Sequence, residues 1–217
     1  MKKLIIIVIT IITTLLVSKV WAQESDTDLR EKLQLGAKIG TNYSNVYNSK
    51  GQDFKADPKL GLAAGAFVII PIGKYIGVQP EVLYSQKGFK GSGVVIGESY
   101  KFTRTTSYID IPLMFALKPV EYITILAGPQ YSYLIKQKDV FTSSVSSFNV
   151  EQQFKTDNIR KNIMCFIGGA DVNFKHIVIG LRAGWDILNN NGDGSTTTPQ
   201  YKNVWYQATI GYSFCNN

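Results

Sequence analysis

Apolar residues recur at every second position in eight separate stretches of this chain, and this two-residue period is the signature of half-buried strands. In the first stretch Leu35, Ala37, Ile39 and Tyr43 alternate with Gly36, Lys38, Gly40, Asn42 and Ser44. In the second, Leu60, Leu62, Ala64, Ala66, Val68 and Ile70 oppose the small residues Gly61, Ala63 and Gly65. The third sets Ile76, Val78, Pro80, Val82 and Tyr84 against Gln79, Glu81, Ser85 and Lys87, and the fourth sets Ile109, Ile111, Leu113, Phe115 and Leu117 against Tyr108, Asp110, Pro112 and Met114. The fifth runs from Ile123 to Tyr133, and the sixth, from about Arg160 to Phe174, places Cys165, Ile167, Gly169 and Asp171 opposite Met164, Phe166, Ala170 and Val172. The seventh carries Arg182 and Asp186 opposite Ile179, Leu181 and Trp185, and the last alternates Tyr206, Ala208, Ile210, Tyr212 and Phe214 with Gln207, Thr209, Gly211 and Ser213.

The connections alternate in length. Short turns are predicted around Ile72 to Lys74, Lys118 to Glu121 and Phe174 to His176, and long polar loops at about Tyr47–Asp57, Phe89–Ser99, Lys138–Asn158 and Asn189–Asn203. Outer-membrane barrels pair short periplasmic turns with long extracellular loops, so the pattern predicts an eight-stranded antiparallel up-and-down transmembrane β-barrel with both termini in the periplasm. Pro80, Pro112 and Pro129 fall inside predicted strands, where a missing backbone donor interrupts the ladder, and bulges are expected there. Tyr84, Tyr131, Tyr133, Trp185, Trp205, Tyr206 and Tyr212 are candidates for interfacial girdles.

Residues 1–22 read as an export signal and not as structure. Lys2 and Lys3 precede an apolar run from Leu4 to Ser18, and Val20-Trp21-Ala22 forms a small-residue cleavage site before Gln23. Residues 23–33 are then a short, mobile lead-in to a single barrel domain at 34–217. Removing the signal leaves 20 of the 23 basic residues against 16 acidic ones and lowers the net charge from +7 to +4. The remaining cations are scattered, and the chain has no nucleic-acid motif. Cys165 lies mid-strand and Cys215 at the chain's end, too far apart in the predicted barrel for a disulfide, so Cys165 is expected to pack as a small apolar residue.

Four pieces carry a family resemblance: Leu35-Gly36-Ala37-Lys38-Ile39-Gly40-Thr41-Asn42-Tyr43-Ser44, Val78-Gln79-Pro80-Glu81-Val82-Leu83-Tyr84-Ser85-Gln86-Lys87-Gly88, Tyr108-Ile109-Asp110-Ile111-Pro112-Leu113 and Ala127-Gly128-Pro129-Gln130-Tyr131-Ser132-Tyr133-Leu134. In order and spacing they resemble the PorT-like outer-membrane β-barrels of the porin family. The resemblance implies the barrel fold and an outer-membrane location, and its founding member is associated with protein secretion. Members typically end on an aromatic residue, whereas here Phe214 is followed by Cys215-Asn216-Asn217.

The candidate chemistry lies inside the barrel. Lys38, Glu81, Lys87, Asp110, Asp171, Arg182 and Asp186 are predicted to point inward, where charges must be paired. They suit either a salt-bridged plug or the lining of a narrow path or small-ligand pocket. No catalytic, cofactor or metal residues are assigned. The single histidine, His176, is expected to be a solvated turn residue; Asn191-Gly192-Asp193-Gly194-Ser195 lacks the alternating carboxylates and closing Glu of a calcium loop; and Gly91-Ser92-Gly93 has no following Lys and reads as flexible loop. The expected partners are outer-membrane lipid and other envelope proteins, without nucleic acid. The expected role is a closed structural or interaction barrel, with a porin-like channel as the alternative and service to a secretion apparatus as a lesser one.

Overall fold

The computed structural model describes residues 29–47, 55–95, 98–143, 147–152, 160–190 and 201–214. After a 3₁₀ turn at Leu29–Glu31, these residues form β1 (Gln34–Tyr47), β2 (Lys55–Pro71), β3 (Ile76–Val95), β4 (Glu98–Val120), β5 (Ile123–Ser143), β6 (Ser147–Gln152), β7 (Asn162–Phe174), β8 (Ile177–Asp186) and β9 (Lys202–Ser213). Every pairing is antiparallel, β1 pairs with β9, and a β4–β5 ladder joins the two ends of the strand order β4-β3-β2-β1-β9-β8-β7-β5. Eight strands therefore close a barrel. β6 is an extra strand that pairs with β5 above that closure.

The barrel is built inside out relative to a soluble protein. Ile39, Leu60, Val82, Leu113, Phe115, Leu181 and Ile210 face outward and are exposed, while Lys38, Glu81 and Arg182 at neighbouring positions are buried. In hydrocarbon no water can satisfy backbone groups, and a closed ladder satisfies them within the sheet. Two aromatic rings border the apolar belt. Tyr75, Tyr122, Phe174, Tyr212 and Phe214 lie at the end with the short turns, and Tyr43, Tyr131, Tyr133, Trp185 and Tyr206 lie toward the other.

Several expectations need correction. The presumed loop Phe89–Ser99 is largely strand: β3 continues to Val95 and pairs with β4 up to Val95↔Glu98, so Gly91-Ser92-Gly93 lies in the ladder. Likewise the presumed loop from Lys138 onward holds the end of β5 and all of β6. A tilted strand needs only about 9–11 residues to cross the membrane, whereas β4 has 23 and β5 has 21. The surplus projects into water, where neither face must be apolar and the two-residue hydrophobic signal disappears. Parts of the other expected loops, including 191–200, lie outside the described residues, as do the expected export signal and Cys215.

The prolines do not sit at bulges. Each leaves a two-residue gap in one ladder while the register stays constant on either side: Pro80 between Phe67↔Glu81 and Ile70↔Val78, Pro112 between Pro80↔Leu113 and Leu83↔Asp110, and Pro129 between Pro112↔Gln130 and Phe115↔Ala127. A missing N–H removes a bond but adds no residue, so nothing forces the pairing to slip. The register shifts fall elsewhere, between Pro58 and Ala63, between Ser107 and Tyr108, and between Leu117 and Val120.

Trp205 is not a girdle residue. It shares the inward phase of Gln207 and Thr209, is fully buried, and its ring occupies the space that a side chain at Gly184 would take, since a Cβ there would lie 2.3 Å from the indole. The segment before β1 is also packed: Arg30 is 9% exposed, and its carbonyl accepts a hydrogen bond from Lys118 Nζ at 3.0 Å. His176 is half-buried, with Nδ1 3.0 Å from the Ser213 carbonyl oxygen and its ring stacked on Tyr212, so it ties the β7–β8 turn to β9 instead of standing in solvent.

A Gly184→Val substitution should displace the Trp205 ring and lower the stability of the refolded barrel by about 1–3 kcal/mol. Urea titration in detergent, followed by tryptophan emission, checks this. An unchanged midpoint would show that the interior has slack at that level.

Candidate functional site: the charged barrel interior

The inward positions are filled in layers. Nearest the short turns, Phe67, Ile69 and Val178 form one apolar cluster and Met114, Ala116, Leu126 and Ile167 another. Phe67 fits because Gly36 faces it without a side chain, a Cβ there falling 2.2 Å from the ring. Small residues in one strand thus admit a large ring from the next.

Above these clusters lies the main ionic layer. Arg182 donates through Nη1 to both Glu81 oxygens at 2.8 Å and through Nη2 to both Asp171 oxygens at 3.0 and 2.9 Å. Lys38 Nζ lies 2.5 Å from Glu81 Oε2, and Gln79 Nε2 bridges Glu81 Oε1 and Asp171 Oδ2 at 2.9 and 3.2 Å. Two cations meet two carboxylates, and all four residues are less than 10% exposed. Planar guanidinium is suited to this double fork, which fixes geometry as well as neutralising charge. Asn42 forms the next level, accepting from Gln207 Nε2 at 3.0 Å and donating to Ser85 Oγ at 2.8 Å.

Lys87 and Asp110 pair at 3.0 Å in the following layer, with the Lys87 ammonium 3.7 Å from the centre of the Trp205 ring and 4.9 Å from that of Tyr108. Asp186 lies beside them and accepts from Asn203 N at 2.9 Å, Asn203 Nδ2 at 2.5 Å and Cys165 Sγ at 3.2 Å. Cys165 also lies 3.4 Å from Ser132 Oγ. It is a free thiol with polar neighbours, not simply a small apolar filler.

At the end with the long hairpins, Asp139 receives Arg104 Nε and Nη2 at 2.9 and 2.7 Å, and Arg104 Nη1 donates to Tyr201 Oη at 3.1 Å. Phe89 packs edge-on against Tyr201 and also against Phe102. This layer was missed in the sequence because Arg104 and Asp139 lie beyond the apolar alternation that marked the fourth and fifth strands. The one available signal was Phe102-Thr103-Arg104-Thr105-Thr106, a run of aromatic and β-branched residues that suits a strand.

The seven candidate interior charges therefore occupy two layers. Lys38, Glu81, Asp171 and Arg182 share the first, and Lys87, Asp110 and Asp186 share the second. Among the described residues, no group of three or more His, Cys, Asp and Glu side chains could hold a metal ion.

A closed eight-stranded barrel with charges inside and an aliphatic belt outside is the form of an integral outer-membrane protein. The chain belongs to the outer membrane protein beta-barrel domain family, whose model matches residues 21–191, and this places it in the outer membrane. Among solved structures, the chain is similar to the attachment invasion locus protein Ail of Yersinia pestis, at 16% identity and a TM-score of 0.48, covering 83% of this chain and 98% of that one. It is also similar to Neisserial surface protein A, at 9% identity and a TM-score of 0.48, covering 85% and 100%. A third similarity is to OprG of Pseudomonas aeruginosa, at 14% identity and a TM-score of 0.41, covering 85% and 96%. No curated protein matches the chain.

Arg182→Met should cost about 3–5 kcal/mol, because it strands Asp171 in a buried site while Glu81 keeps Lys38. Adding Asp171→Asn, which leaves the Lys38–Glu81 pair intact, should recover part of that loss, measurable as the urea midpoint in detergent. Equal stability of the wild type and Arg182→Met would mean that the layer is hydrated and screened.

Proposed function

We propose that this protein is a closed barrel that acts through its two ends, docking other components of the cell envelope. The supporting observation is the ion-paired layer of Lys38, Glu81, Arg182 and Asp171, two cations against two carboxylates, backed on one side by the Phe67 and Met114 clusters. Eight strands leave an interior just wide enough for side chains to fill, and here large, interlocked ones occupy it. The parts left free to meet partners are the hairpins extending β3, β4 and β5 beyond the membrane and the periplasmic mouth. Lipid surrounds the belt, and the reading assigns no catalytic role and no cofactor.

A narrow channel or small-ligand transporter is the second reading. What favours it is that the buried side-chain atoms Gln79 Oε1, Arg182 Nε, Gln207 Oε1, Trp205 Nε1, Thr106 Oγ1 and Gln137 Oε1 have no hydrogen-bond partner. Buried polar atoms of this kind are commonly met by water, and an interior that admits water could pass small solutes. The PorT-like pieces around Gln79-Pro80-Glu81 and Ile111-Pro112-Leu113 support a further version in which the docked component belongs to a secretion apparatus.

The purified barrel, verified as folded by its heat-modifiable mobility, should show no unitary conductance in a planar bilayer. Mild cross-linking in native outer membranes should recover a stoichiometric envelope protein. Conductance that falls with Glu81→Gln or Arg182→Gln would replace the docking reading with the channel.

A further inference from the structure

On the outer face of β2 and β3, toward the long hairpins, the lipid belt gives way to cations. Leu62 and Leu60 of β2 are exposed, and Tyr43 stands beside Leu60 in the β1–β2 ladder. On β3, Val82 is exposed; above it Tyr84 Oη donates to Ser107 Oγ at 3.1 Å and accepts from Gln86 Nε2 at 3.0 Å, polar contacts that end the belt on that strand. Lys59 comes next to Leu60, and Lys90 lies one level further out, opposite Asp57 in the β2–β3 ladder.

Lys90 is exposed and Lys59 half-buried, and their charges are close enough to act on each other. The Lys59 ammonium donates to the Leu60 carbonyl at 3.1 Å, which places it at the rim of the belt. Among the described residues no carboxylate pairs with either ammonium, and Asp57, though opposite Lys90, forms no salt bridge with it. Lys101 and Lys138 are exposed on the same face of β4 and β5, with Glu151 opposite Lys138 in the β5–β6 ladder.

Two neighbouring ammonium groups repel each other until a counter-charge arrives. Lysine serves as a point-charge ligand for phosphate, and basic side chains at a membrane surface attract anionic lipid. A lipid phosphate reaches this height by the lipid's own anchoring, since its chains lie along Leu60, Leu62 and Tyr43, whereas a soluble anion gains nothing from the apolar rim. We propose that Lys59 and Lys90 bind the headgroup phosphate of an anionic lipid of the outer leaflet, with an acyl chain packed on Leu60 and Leu62. The site is independent of the docking reading, because it lies on the barrel wall and not at its ends.

The test is native mass spectrometry of the folded barrel in a nonionic detergent, counting adducts of phosphatidylglycerol and of phosphatidylcholine with the same chains. The wild type should bind phosphatidylglycerol about five-fold more tightly than phosphatidylcholine. The Lys59→Gln/Lys90→Gln double variant should bind the two lipids equally, with its phosphatidylcholine affinity unchanged. Lys175→Gln, at an exposed position on the periplasmic side, should keep the wild-type preference. Added glycerol 3-phosphate, equimolar with the lipid, should not displace phosphatidylglycerol. Equal binding of both lipids by the wild type, or an undiminished preference in the folded double variant, overturns the proposal. So does loss of the preference in Lys175→Gln, which would move the site to the other leaflet, or displacement by glycerol 3-phosphate, which would make it a site for free phosphate esters.

Discussion

Closure of the backbone ladder is the constraint from which the rest of this structure follows. In the hydrocarbon an unpaired amide costs several kcal/mol, so a spanning sheet cannot keep an edge. The β1–β9 and β4–β5 ladders remove both edges, and closure then fixes which side of each strand faces lipid. Every second residue is committed to a narrow interior that must be filled. Glycine opposite an aromatic ring, as Gly36 stands to Phe67 and Gly184 to Trp205, is how that space is shared.

Filling the interior with charge is workable only where the charges are mutually satisfied. Arg182 holds two carboxylates from different strands, Glu81 on β3 and Asp171 on β7, and Lys38 reaches Glu81 from β1. The contacts of Glu81 with Arg182 and Lys38 pull together strands that share no ladder. A buried ion pair is weak support for net stability, because desolvation offsets much of its attraction. Its effect here is specificity of register. Sliding β8 or β3 by one residue would turn Arg182 or Glu81 toward lipid, a change far costlier than the loss of a few ladder bonds.

The legible part of the fold was the part the membrane constrains. Within the apolar belt, alternation such as Ile177, Ile179 and Leu181 against Gly180 and Arg182 has only one reading, and it led to eight strands in a closed barrel. Above the belt the same backbone geometry continues, but Lys101-Phe102-Thr103-Arg104-Thr105-Thr106 is amphipathic in no consistent sense because water bathes its outer face. Only pairing between strands shows it to be β, and a single sequence does not display pairing. Trp205 was misassigned for a related reason. A tryptophan near a strand end suits an interface, and its partner in the interior, the side-chain-free space at Gly184, is visible only once β8 and β9 are side by side. The partners of Arg104 were hidden in the same way, since Asp139 and Tyr201 come from segments that looked like loop.

The prolines bear on what kind of barrel this is. Their gaps fall in three successive ladders, β2–β3, β3–β4 and β4–β5, and each gap begins beside the last, so that 68–69, 79–82, 111–114 and 128–129 trace one continuous step across four strands. Along that step ladder pairs are missing in three neighbouring ladders. The inward residues of the same step are Ile69 of an apolar cluster, Gln79 and Glu81 of the main ionic layer, and Pro112, Met114 and Gly128, which border it. The main ionic layer thus lies beside the part of the wall where those ladder pairs are missing. A lattice that gives up bonds in the wall and regains them through the interior holds its shape only while the interior stays paired. An interior of that kind favours a fixed barrel that works at its ends over one that must reorganise to let solutes through.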